Sequence, residues 1–422
     1  MMEEISKRSF VRPLLFWVLG ILLYSTSCAL ALFLLLGALL IVSFGIVRLV
    51  SWREHTPRAY SLRWVPGVFL SICLVALSFE VCYIHDLCQG QTSHTHSFIR
   101  QKASEAQAAL VHEYDRLNLS DEEKSVLATL TLGYRQTMRA DTKRRFSITG
   151  VSHVLAVSGF HVAVVCGFLS LLVGNLPGVN LRRLRHPLLI IIVWIFVYIT
   201  GLSPSAIRAA TMFTLFATAR ILRRTTDSYN TWAATAFLML VYDPSYLFDI
   251  GFQLSYAAVL FVLFYTPRIQ PLIEVRNPIF AQPWQWIAVS LAAQFGTAAL
   301  CCYYFGRIST LFLIANLPVT FLVTLLMPIT FLWLTLPPNG LCESVFRHTL
   351  EATVRLLLRV IENLSDIPFA VYSLRFNGWH LMESLIFMLL LALYQIDKKP
   401  RNLLAALTVA LILSLHLLIG NY

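Results

Sequence analysis

An apolar run with polar residues inside it extends from Val151 to Val173. At about 1.5 Å per residue this run is long enough to cross the roughly 30 Å of bilayer hydrocarbon as a helix. Its first half holds residues that a lipid-facing helix would not keep, namely His153, Ser158, Gly159 and His161. Unpaired polar groups are strongly disfavoured in hydrocarbon, so such side chains face a bundle interior or a wet cavity. The run therefore predicts a membrane helix packed inside a bundle.

The spacing of these residues predicts a shared polar face on that helix. His153 and His161 are eight positions apart, close to two turns, and Ser158 precedes His161 by three positions. Gly159 would allow another backbone to approach closely. Two interpretations are open. One is a helix-packing seam with satisfied histidines, and the other is a polar surface that serves transport or catalysis.

Composition places the whole chain in the membrane class. Hydrophobic residues make up 57% of the sequence and charged residues 13%, which excludes an ordinary soluble domain. We predict an all-α fold, a polytopic transmembrane helical bundle with interrupted or re-entrant helices. The net charge of +11 is not by itself evidence for nucleic-acid binding, because the cytoplasmic loops of membrane proteins collect Lys and Arg.

Arginines flank the first apolar block, Pro13 to Val47, on both sides. The positive-inside rule then predicts a hairpin bent near Ser25 to Cys28, with the N-terminus in the cytoplasm. The next apolar stretch, Trp64 to Ile84, would cross outward. On this interpretation the segment from His85 to Gly150 lies outside the cytoplasm.

Two features of that predicted external segment carry structural information. Ser120 and Glu123 form an S-x-x-E pair before an apolar stretch, which predicts a capping box and the start of a helix. Lys143, Arg144 and Arg145 stand immediately before the membrane run, on a side where the positive-inside rule expects fewer cations. They indicate either a basic collar at a channel mouth or a reversed orientation.

The remaining apolar pattern predicts further membrane segments. These are Pro187–Thr200, Gly201–Phe216, Tyr229–Tyr242, Leu247–Thr266, Trp284–Phe305, Leu311–Leu336, Leu381–Ile396 and Leu403–Ile419. Glycine and proline interrupt the segments Gly201–Phe216 and Leu311–Leu336, which predicts broken helices lining a cavity. Between them and the C-terminal pair, Arg355 and Arg359 share one face of an apolar stretch, which predicts an amphipathic helix at the membrane interface. The parity of crossings between Leu311 and Glu362 is left open.

Polar residues inside these segments predict an interior polar surface. Arg208 lies near the start of a membrane helix, where it either snorkels to the interface or lines an aqueous path. Asp249 and Gln253 are four positions apart and face the same way, with Ser255 close by, so they form an interior stripe or act as helix glue. Asn316 adds an amide to the interrupted run near residue 318.

Metal and nucleotide chemistry have little support in the sequence. The cluster Cys82, His85, Cys88, His94 and His96 fits no standard zinc spacing, so a surface loop or a Cys82–Cys88 disulfide is favoured. No P-loop string and no H-x-H-x-D-H cluster occurs. We therefore predict no metal, no cofactor, and no nuclease or ATPase activity in this chain.

Several ordered motifs resemble those of the ComEC competence family, membrane proteins of bacterial DNA uptake. The run G-V-S-H-V-L-A-V-S-G-F-H-V, from Gly150 to Val162, is similar to the signature of that family. Two further similar stretches follow, Gly201–Met212 and Asp243–Val259, and a weaker one at Phe305–Val319. The resemblance covers about Phe98 to Leu336, most of the chain.

This resemblance implies a channel for single-stranded DNA across the bacterial cytoplasmic membrane during natural transformation. The implied partners are single-stranded DNA, the lipid bilayer, a separate DNA-translocating ATPase and DNA-binding competence proteins. The residues assigned to the DNA path or polar core are His153, Ser158, Gly159, His161, Arg208, Asp249, Gln253, Ser255 and Asn316. Larger members of the family carry an external oligonucleotide-binding barrel and a C-terminal domain resembling metallo-β-lactamases, and this chain is expected to be a minimal form without either.

The expected organisation has four parts and leaves other functions open. They are N-terminal membrane segments (1–84), an extracytoplasmic helical segment (85–150), the competence-type core (151–336), and an amphipathic helix with a membrane hairpin (337–422). One alternative is a membrane enzyme that uses His161 with Asp249 as acid and base on a lipid-linked substrate. Another is a truncated paralogue that assembles with competence partners without transporting DNA. The oligomeric state is open.

Overall fold

The computed structural model describes residues 8–26, 65–88, 93–174, 179–224, 227–338, 340–368 and 370–419, with isolated positions between residues 37 and 45. Within these ranges the chain is helical almost throughout, and its β-structure is one pair of short strands. The prediction of an all-α, polytopic helical fold is confirmed.

The described elements follow one another in a simple order. They are α1 (Val11–Tyr24), α2 (Val65–Cys88), α3 (Ser93–Glu113), α4 (Asp121–Leu132), α5 (Ala140–Ile148), α6 (Gly159–Gly174), α7 (Val179–Ile199), α8 (Pro204–Ile221), α9 (Ser228–Tyr242), α10 (Ile250–Ile269), α11 (Pro278–Phe305), β1 (Arg307–Ser309), α12 (Phe312–Thr335), α13 (Leu341–Ser365), β2 (Val371–Ser373), α14 (Gly378–Asp397) and α15 (Pro400–Ile419). Short 3₁₀ turns lie before α4, α6, α10 and α11.

Six helices in the described part of the chain are long and apolar enough to cross a membrane. They are α2, α10, α11, α12, α14 and α15. Helices α1 and α6 and the part of α7 from Leu184 to Ile199 are apolar but shorter. The chain is therefore a multi-pass membrane protein.

The chain divides into two compact units, and the first comprises residues 1–101 and 211–253. In it α1 packs along α2 and against α9. The Trp17 indole donates to the Leu240 carbonyl at 3.3 Å, and the Tyr24 hydroxyl donates to Asp86 at 2.7 Å. Helix α1 ends one residue before the bend expected at Ser25. Most of the remaining predicted hairpin lies outside the described residues.

The second unit comprises residues 102–210 and 254–422 and is built around α12, which packs against α4, α6, α11 and α13. The predicted capping box of α4 is confirmed. The Ser120 hydroxyl accepts from the Glu123 N–H at 3.3 Å, and the Glu123 carboxylate accepts from the Ser120 N–H at 2.7 Å. Every residue of 125–132 is buried. Helix α4 is thus a core element of this unit.

The two strands bear on whether the chain crosses the membrane an odd or an even number of times in the segment between them, which the sequence left open. β1 pairs antiparallel with β2, with Ile308 opposite Tyr372. β1 immediately precedes α12, and β2 follows α13, which packs along α12. The chain therefore leaves the sheet along α12 and returns to it along α13. Residues 310–370 begin and end at the same level, so they contribute no net crossing.

The expected break in the run Leu311–Leu336 is wrong, because α12 is one continuous helix with Pro318 and Pro328 inside it. The Asn316 amide donates to the Ser290 hydroxyl of α11 at 2.6 Å, and Thr320 donates to Asn316 at 3.2 Å. Neighbouring helices and side-chain hydrogen bonds compensate for backbone bonds that proline removes, so membrane helices tolerate it. Packing thus outweighs the local preference of proline to end a helix.

The predicted amphipathic helix is α13, but its apolar face does not lie on lipid. Leu350, Leu357 and Ile361 are buried against protein, where α13 packs on α12, α4 and α5. Arg355 approaches the Glu123 carboxylate at 3.5 Å. The helix is therefore fixed to the unit by apolar packing and by ion pairs, which corrects the expectation of a helix laid on the membrane surface.

The predicted cluster after the second apolar block has no disulfide. Cys82 and Cys88 both lie on α2, and neither is in a disulfide. His85 instead contacts the Asp243 carboxylate at 3.3 Å. No group of three or more metal-ligating side chains is arranged around a common point in the ranges given above.

Candidate functional site

The predicted helix from Val151 to Val173 is wrong over its first eight residues. Gly150 adopts a left-handed conformation, φ 78°, and a 3₁₀ turn follows over Ser152–Leu155. Ala156 is extended, and α6 begins only at Gly159. The signature run is therefore a break in the helical path followed by a helix start.

A tertiary contact fixes this break. A side chain on Gly150 would come within 2.7 Å of the Ser309 Cβ, so the backbone passes β1 at a distance that only glycine permits. The Ser309 hydroxyl donates to the Ile148 carbonyl at 2.8 Å. The sequence holds no local signal for this contact, which is why the apolar pattern predicted a continuous helix.

The two histidines of the signature therefore do not share a helical face. His153 lies in the 3₁₀ turn and is exposed, whereas His161 lies in the first turn of α6 and is fully buried. The spacing rule that placed them together holds only for an unbroken helix. The expected proximity of Ser158 and His161 is present.

His161 is held by Ser158 in a way that determines its available donor. The Nδ1 atom of His161 accepts from the Ser158 N–H at 3.2 Å and lies 3.0 Å from the Ser158 hydroxyl. A backbone N–H can only donate, so a neutral ring carries its proton on Nε2. That Nε2 atom is buried and has no hydrogen-bond partner among the described residues. The ring thus offers a donor to an acceptor that enters the site.

A second break adjoins the first. Gly201 and Leu202, between α7 and α8, have φ angles of 72° and 53°, and α8 begins at Pro204. The Ser205 hydroxyl donates to the Val157 carbonyl in the first break. One helical turn further, a side chain on Gly159 would lie 3.7 Å from the Ala209 Cβ. The starts of α6 and α8 therefore lie side by side.

Gln107 of α3 lies between the end of α4 and the second break, and Gly133 at the end of α4 packs against the first break. Its amide donates to the Leu132 carbonyl at 2.6 Å. A side chain on Gly201 would come within 3.0 Å of the same amide, and one on Gly133 within 2.8 Å of Val157. Sequence reasoning missed Gln107 because α3 looks like a soluble helix. The pattern that could have identified it is that Gln107 lies four positions, about one helical turn, after Ala103, which is fully buried, so both residues face the protein interior.

The paired helix starts favour an anion. The N-terminus of a helix carries a partial positive charge and backbone N–H groups without intrahelical acceptors. At this site two such ends lie side by side within one compact unit, and His161, with its unpartnered Nε2, stands in the first turn of one of them. Irregular backbone at membrane depth is tolerated where it lines a cavity, and substrate sites of transporters use such half-helix ends. A phosphate group has the charge and acceptors that this arrangement suits.

Arg208 lies in the second turn of α8, close to this site. Its side chain is 5% exposed. Burial at this level differs from both expected alternatives, since a snorkelling arginine and one on an open aqueous path would each keep the guanidinium accessible. A place for Arg208 in a DNA path stays a prediction.

The other predicted site residues have local partners. In the first unit, the Asp249 carboxylate accepts from the Phe252 N–H at 2.6 Å, and the Gln253 amide donates to the Leu247 carbonyl at 2.9 Å. Both contacts stabilise the start of α10 and favour the helix-glue interpretation. In the second unit, Ser255 is half-buried on α10 and Asn316 joins α12 to α11.

Exposed cations precede the first break. Arg139, Lys143 and Arg144, in and just before α5, are exposed and form no ion pair with any described residue. Arg145 is different, because it donates to Glu362 of α13 at 2.7 Å. Two residues of the basic collar that the sequence suggested, Lys143 and Arg144, are therefore accessible to an anion, and so is the neighbouring Arg139. The third collar residue, Arg145, is hydrogen-bonded to another helix.

Comparison with known proteins gives one family and a few relatives. Residues 130–399 match the model of the family described as Competence protein. The chain is similar to ComE operon protein 3 of Bacillus subtilis, 26% identical over 251 residues, which are 59% of this chain and 31% of that protein. It is also similar to Recombination protein 2 of Haemophilus influenzae, 26% identical over 41% of this chain and 23% of that protein.

An uncharacterized protein of Aquifex aeolicus is 28% identical over 57% of this chain and 53% of its own length. The chain thus matches between about a quarter and about half of the length of these relatives. No solved structure is detectably similar. The family match contains both breaks and the helices that start from them.

Proposed function

The chain belongs to the competence protein family, and we propose that it moves single-stranded DNA across the bacterial cytoplasmic membrane during natural transformation. Family membership supports a role in DNA uptake during competence. The more specific proposal, that a single strand of DNA passes through this chain, is supported by the chemistry of the paired breaks.

The observation that carries the proposal is the pair of adjacent helix starts beside the His161 donor, an arrangement that suits a polyanion. A single strand presents one phosphate per nucleotide, so a path must stabilise each phosphate without holding it tightly. Helix ends and a neutral imidazole donor supply partial charges rather than full ones. Such a site screens phosphate weakly enough to release it.

The exposed cations before the first break fit the same proposal. Arg139, Lys143 and Arg144 form a surplus of positive charge directly before the break in the chain. A cluster of this kind raises the local concentration of a polyanion and makes its association depend on salt. The polyanion would then meet the partial charges of the break.

We propose that this chain acts as a channel and that energy for transport comes from a partner. The sequence holds no P-loop, so a separate DNA-translocating ATPase and DNA-binding competence proteins are the proposed partners.

The proposal is tested by following labelled donor DNA in a competent bacterium in which this chain replaces the host protein. His161→Leu removes the Nε2 donor and keeps the site filled. We expect labelled single strands in the cytoplasm to fall about tenfold, the effect of losing one hydrogen bond to a charged group. DNA bound outside the membrane and the amount of the protein should stay near normal.

A matched control is His348→Leu, since His348 is an exposed histidine of α13 in the same unit. Cytoplasmic DNA should be unaffected by it. Unchanged cytoplasmic DNA in His161→Leu, at normal protein abundance, would remove the paired breaks from the DNA path.

A further inference from the structure

The membrane hairpin α14–α15 contains a carboxylate and an imidazole in direct contact. Glu383 Oε1 lies 2.7 Å from His416 Nδ1. The Glu383 side chain is 14% exposed, and its second oxygen, Oε2, is buried without a hydrogen-bond partner in the described part of the chain. His416 is half exposed. One side of the pair is therefore enclosed by protein, and the other lies at the protein surface near the end of α15.

Among the described residues of α11, α14 and α15, no Lys or Arg stands beside the carboxylate to neutralise it. The other titratable groups of α14 are His380 in the first turn and Tyr394 and Asp397 at the far end, and α15 adds Arg401, also at the far end. Helix α11, which packs against α14, contains no Asp, Glu, Lys, Arg or His. The titratable groups of its last turn are Cys301, Cys302, Tyr303 and Tyr304.

His380 is close to the pair but has another task. Its ring centroid lies 6.5 Å from that of His416. Its Nδ1 accepts from the Asn377 N–H at 3.3 Å, as half of the capping box that starts α14. The imidazole that can exchange a proton with Glu383 is therefore that of His416.

The depth of the pair allows access to water. Glu383 is five residues after Gly378, so it lies about 8 Å along the helix at 1.5 Å per residue. Trp379, in the first turn, is 69% exposed, as expected of an aromatic residue at the membrane interface. The carboxylate is thus deep enough to be desolvated and shallow enough to exchange protons with the interface.

Physical chemistry limits the charge states that such a pair can hold. A bare carboxylate with a buried, unpartnered oxygen is strongly disfavoured in an apolar hairpin. One proton makes the pair neutral, and it can reside on either residue because the two atoms are hydrogen-bonded. The hairpin is therefore most stable when the pair holds one proton, and that proton can exchange only through His416, at the surface side of the pair.

We propose that Glu383 and His416 form a proton-binding site in the membrane hairpin, with His416 as its connection to water. A proton adds to Nε2 of His416, and the proton on Nδ1 moves to Oε1 of Glu383. The product is a carboxylic acid beside a neutral imidazole. The reverse steps return the proton to water, and no other bond changes. The site depends on the hairpin alone and is independent of DNA transport.

The test is labelling of the purified protein in lipid vesicles with dicyclohexylcarbodiimide, an apolar reagent that modifies protonated carboxyl groups at membrane depth. Mass spectrometry of peptides gives the modified fraction of Glu383 per molecule. We expect that fraction to be several-fold higher in mildly acidic than in mildly alkaline buffer, because the reagent modifies only the protonated carboxyl group. Glu383→Gln should abolish the signal, and Asp397→Asn, at the exposed end of the same helix, should leave it unchanged.

A second variant separates proton binding from a purely structural hydrogen bond. His416→Gln keeps a hydrogen-bonding side chain but cannot accept a proton. Loss of the imidazole should change the pH profile of Glu383 labelling. If the contact is only a structural hydrogen bond, His416→Gln and the unmodified protein should show the same profile. Labelling that is absent, or that is equal at all pH values, would overturn the proposal. Because no DNA is present, failure here leaves the proposed DNA transport untouched, and failure of transport leaves this site untouched.

Discussion

Arg145 of α5 donates a hydrogen bond to Glu362 of α13 at 2.7 Å, across 217 positions of sequence. The contact fixes the helix that leads into the first break to the helix that returns from α12. It also divides three consecutive cations into two kinds. Arg145 is engaged in the fold, while Lys143 and Arg144 are open to solvent.

This division predicts different effects for neighbouring substitutions. Lys143→Gln with Arg144→Gln should leave protein abundance normal and weaken DNA binding by the purified protein. Removing one cation that binds a phosphate should reduce the salt slope of single-strand binding by about 0.7, so the double variant should show a slope smaller by about 1.4. The measurement is the dissociation constant as a function of salt concentration.

Arg145→Gln serves as the contrasting variant. It should lower stability slightly, by at most about 1 kcal/mol, because the Arg145–Glu362 pair is partly exposed, and it should change the salt slope little. Equal salt slopes in the double variant and the unmodified protein would show that Lys143 and Arg144 do not contact DNA.

The second break predicts that Gly201 cannot be replaced. Gly201→Ala should reduce stability by about 1–3 kcal/mol, since a left-handed conformation disfavours a side chain. A contact of 3.0 Å with the Gln107 amide adds to this strain. Gly167→Ala in α6 is the control, because a side chain there meets nothing within 4 Å. Thermal unfolding in detergent would measure both, and equal stabilities would contradict the described geometry of the break.

The contact between the breaks predicts a role for Ser205. Ser205→Ala removes the donor to the Val157 carbonyl and leaves that acceptor without its partner, which destabilises by about 1–3 kcal/mol. We expect lower stability together with reduced DNA uptake per folded molecule. Ser414→Ala is a suitable control, because the Ser414 hydroxyl only donates to the Ala410 carbonyl of its own exposed helix. Unchanged stability in Ser205→Ala would show that this hydrogen bond does not hold the two breaks together.

A pH effect is expected outside the membrane helices. A hydrogen bond from Lys124, at 3.1 Å, lowers the pKa of Asp115 from its ordinary value. A carboxyl group whose folded pKa lies below its unfolded pKa, ordinarily about 3.9, stabilises the fold above the unfolded value. That contribution disappears as pH falls through the folded value, and it is small because Asp115 is largely exposed.

Lys124→Met should therefore reduce stability slightly at neutral pH. The difference from the unmodified protein should vanish in strong acid, where Asp115 is protonated in both folded and unfolded chains. Thermal unfolding at stepped pH values measures it. A difference that persists below the folded pKa would mean that Lys124 acts through packing of its stem instead.

The sequence was informative wherever a local pattern determines structure. The capping box at Ser120 and Glu123 predicted the start of α4 because both hydrogen bonds lie within four residues. Apolar length predicted α11 and α14 because hydrocarbon thickness sets the length of a span. Such patterns depend on physics that acts within one helix.

The candidate site was only partly visible, because contacts distant in sequence build it. Gly150 breaks the path since Ser309 lies against it, 159 positions away along the chain. Gln107 reaches the site from a helix whose own pattern is unremarkable. Conversely, Pro318 and Pro328 suggested a break that packing against α11 and α13 prevents. Tertiary packing decided each of these positions against the local preference.

The two-stranded sheet has a consequence for the order in which the second unit opens. Each strand contributes three residues, Arg307–Ser309 and Val371–Ser373, and few backbone hydrogen bonds join them. Local opening there requires far less free energy than separation of the buried helices α4 and α12. The same residues hold the Ile148 carbonyl through Ser309, so fraying of this sheet would release the backbone of the first break before any helix unfolds. In native-state hydrogen exchange, the amides of β1 and of the break should therefore lose protection together and earliest within this unit.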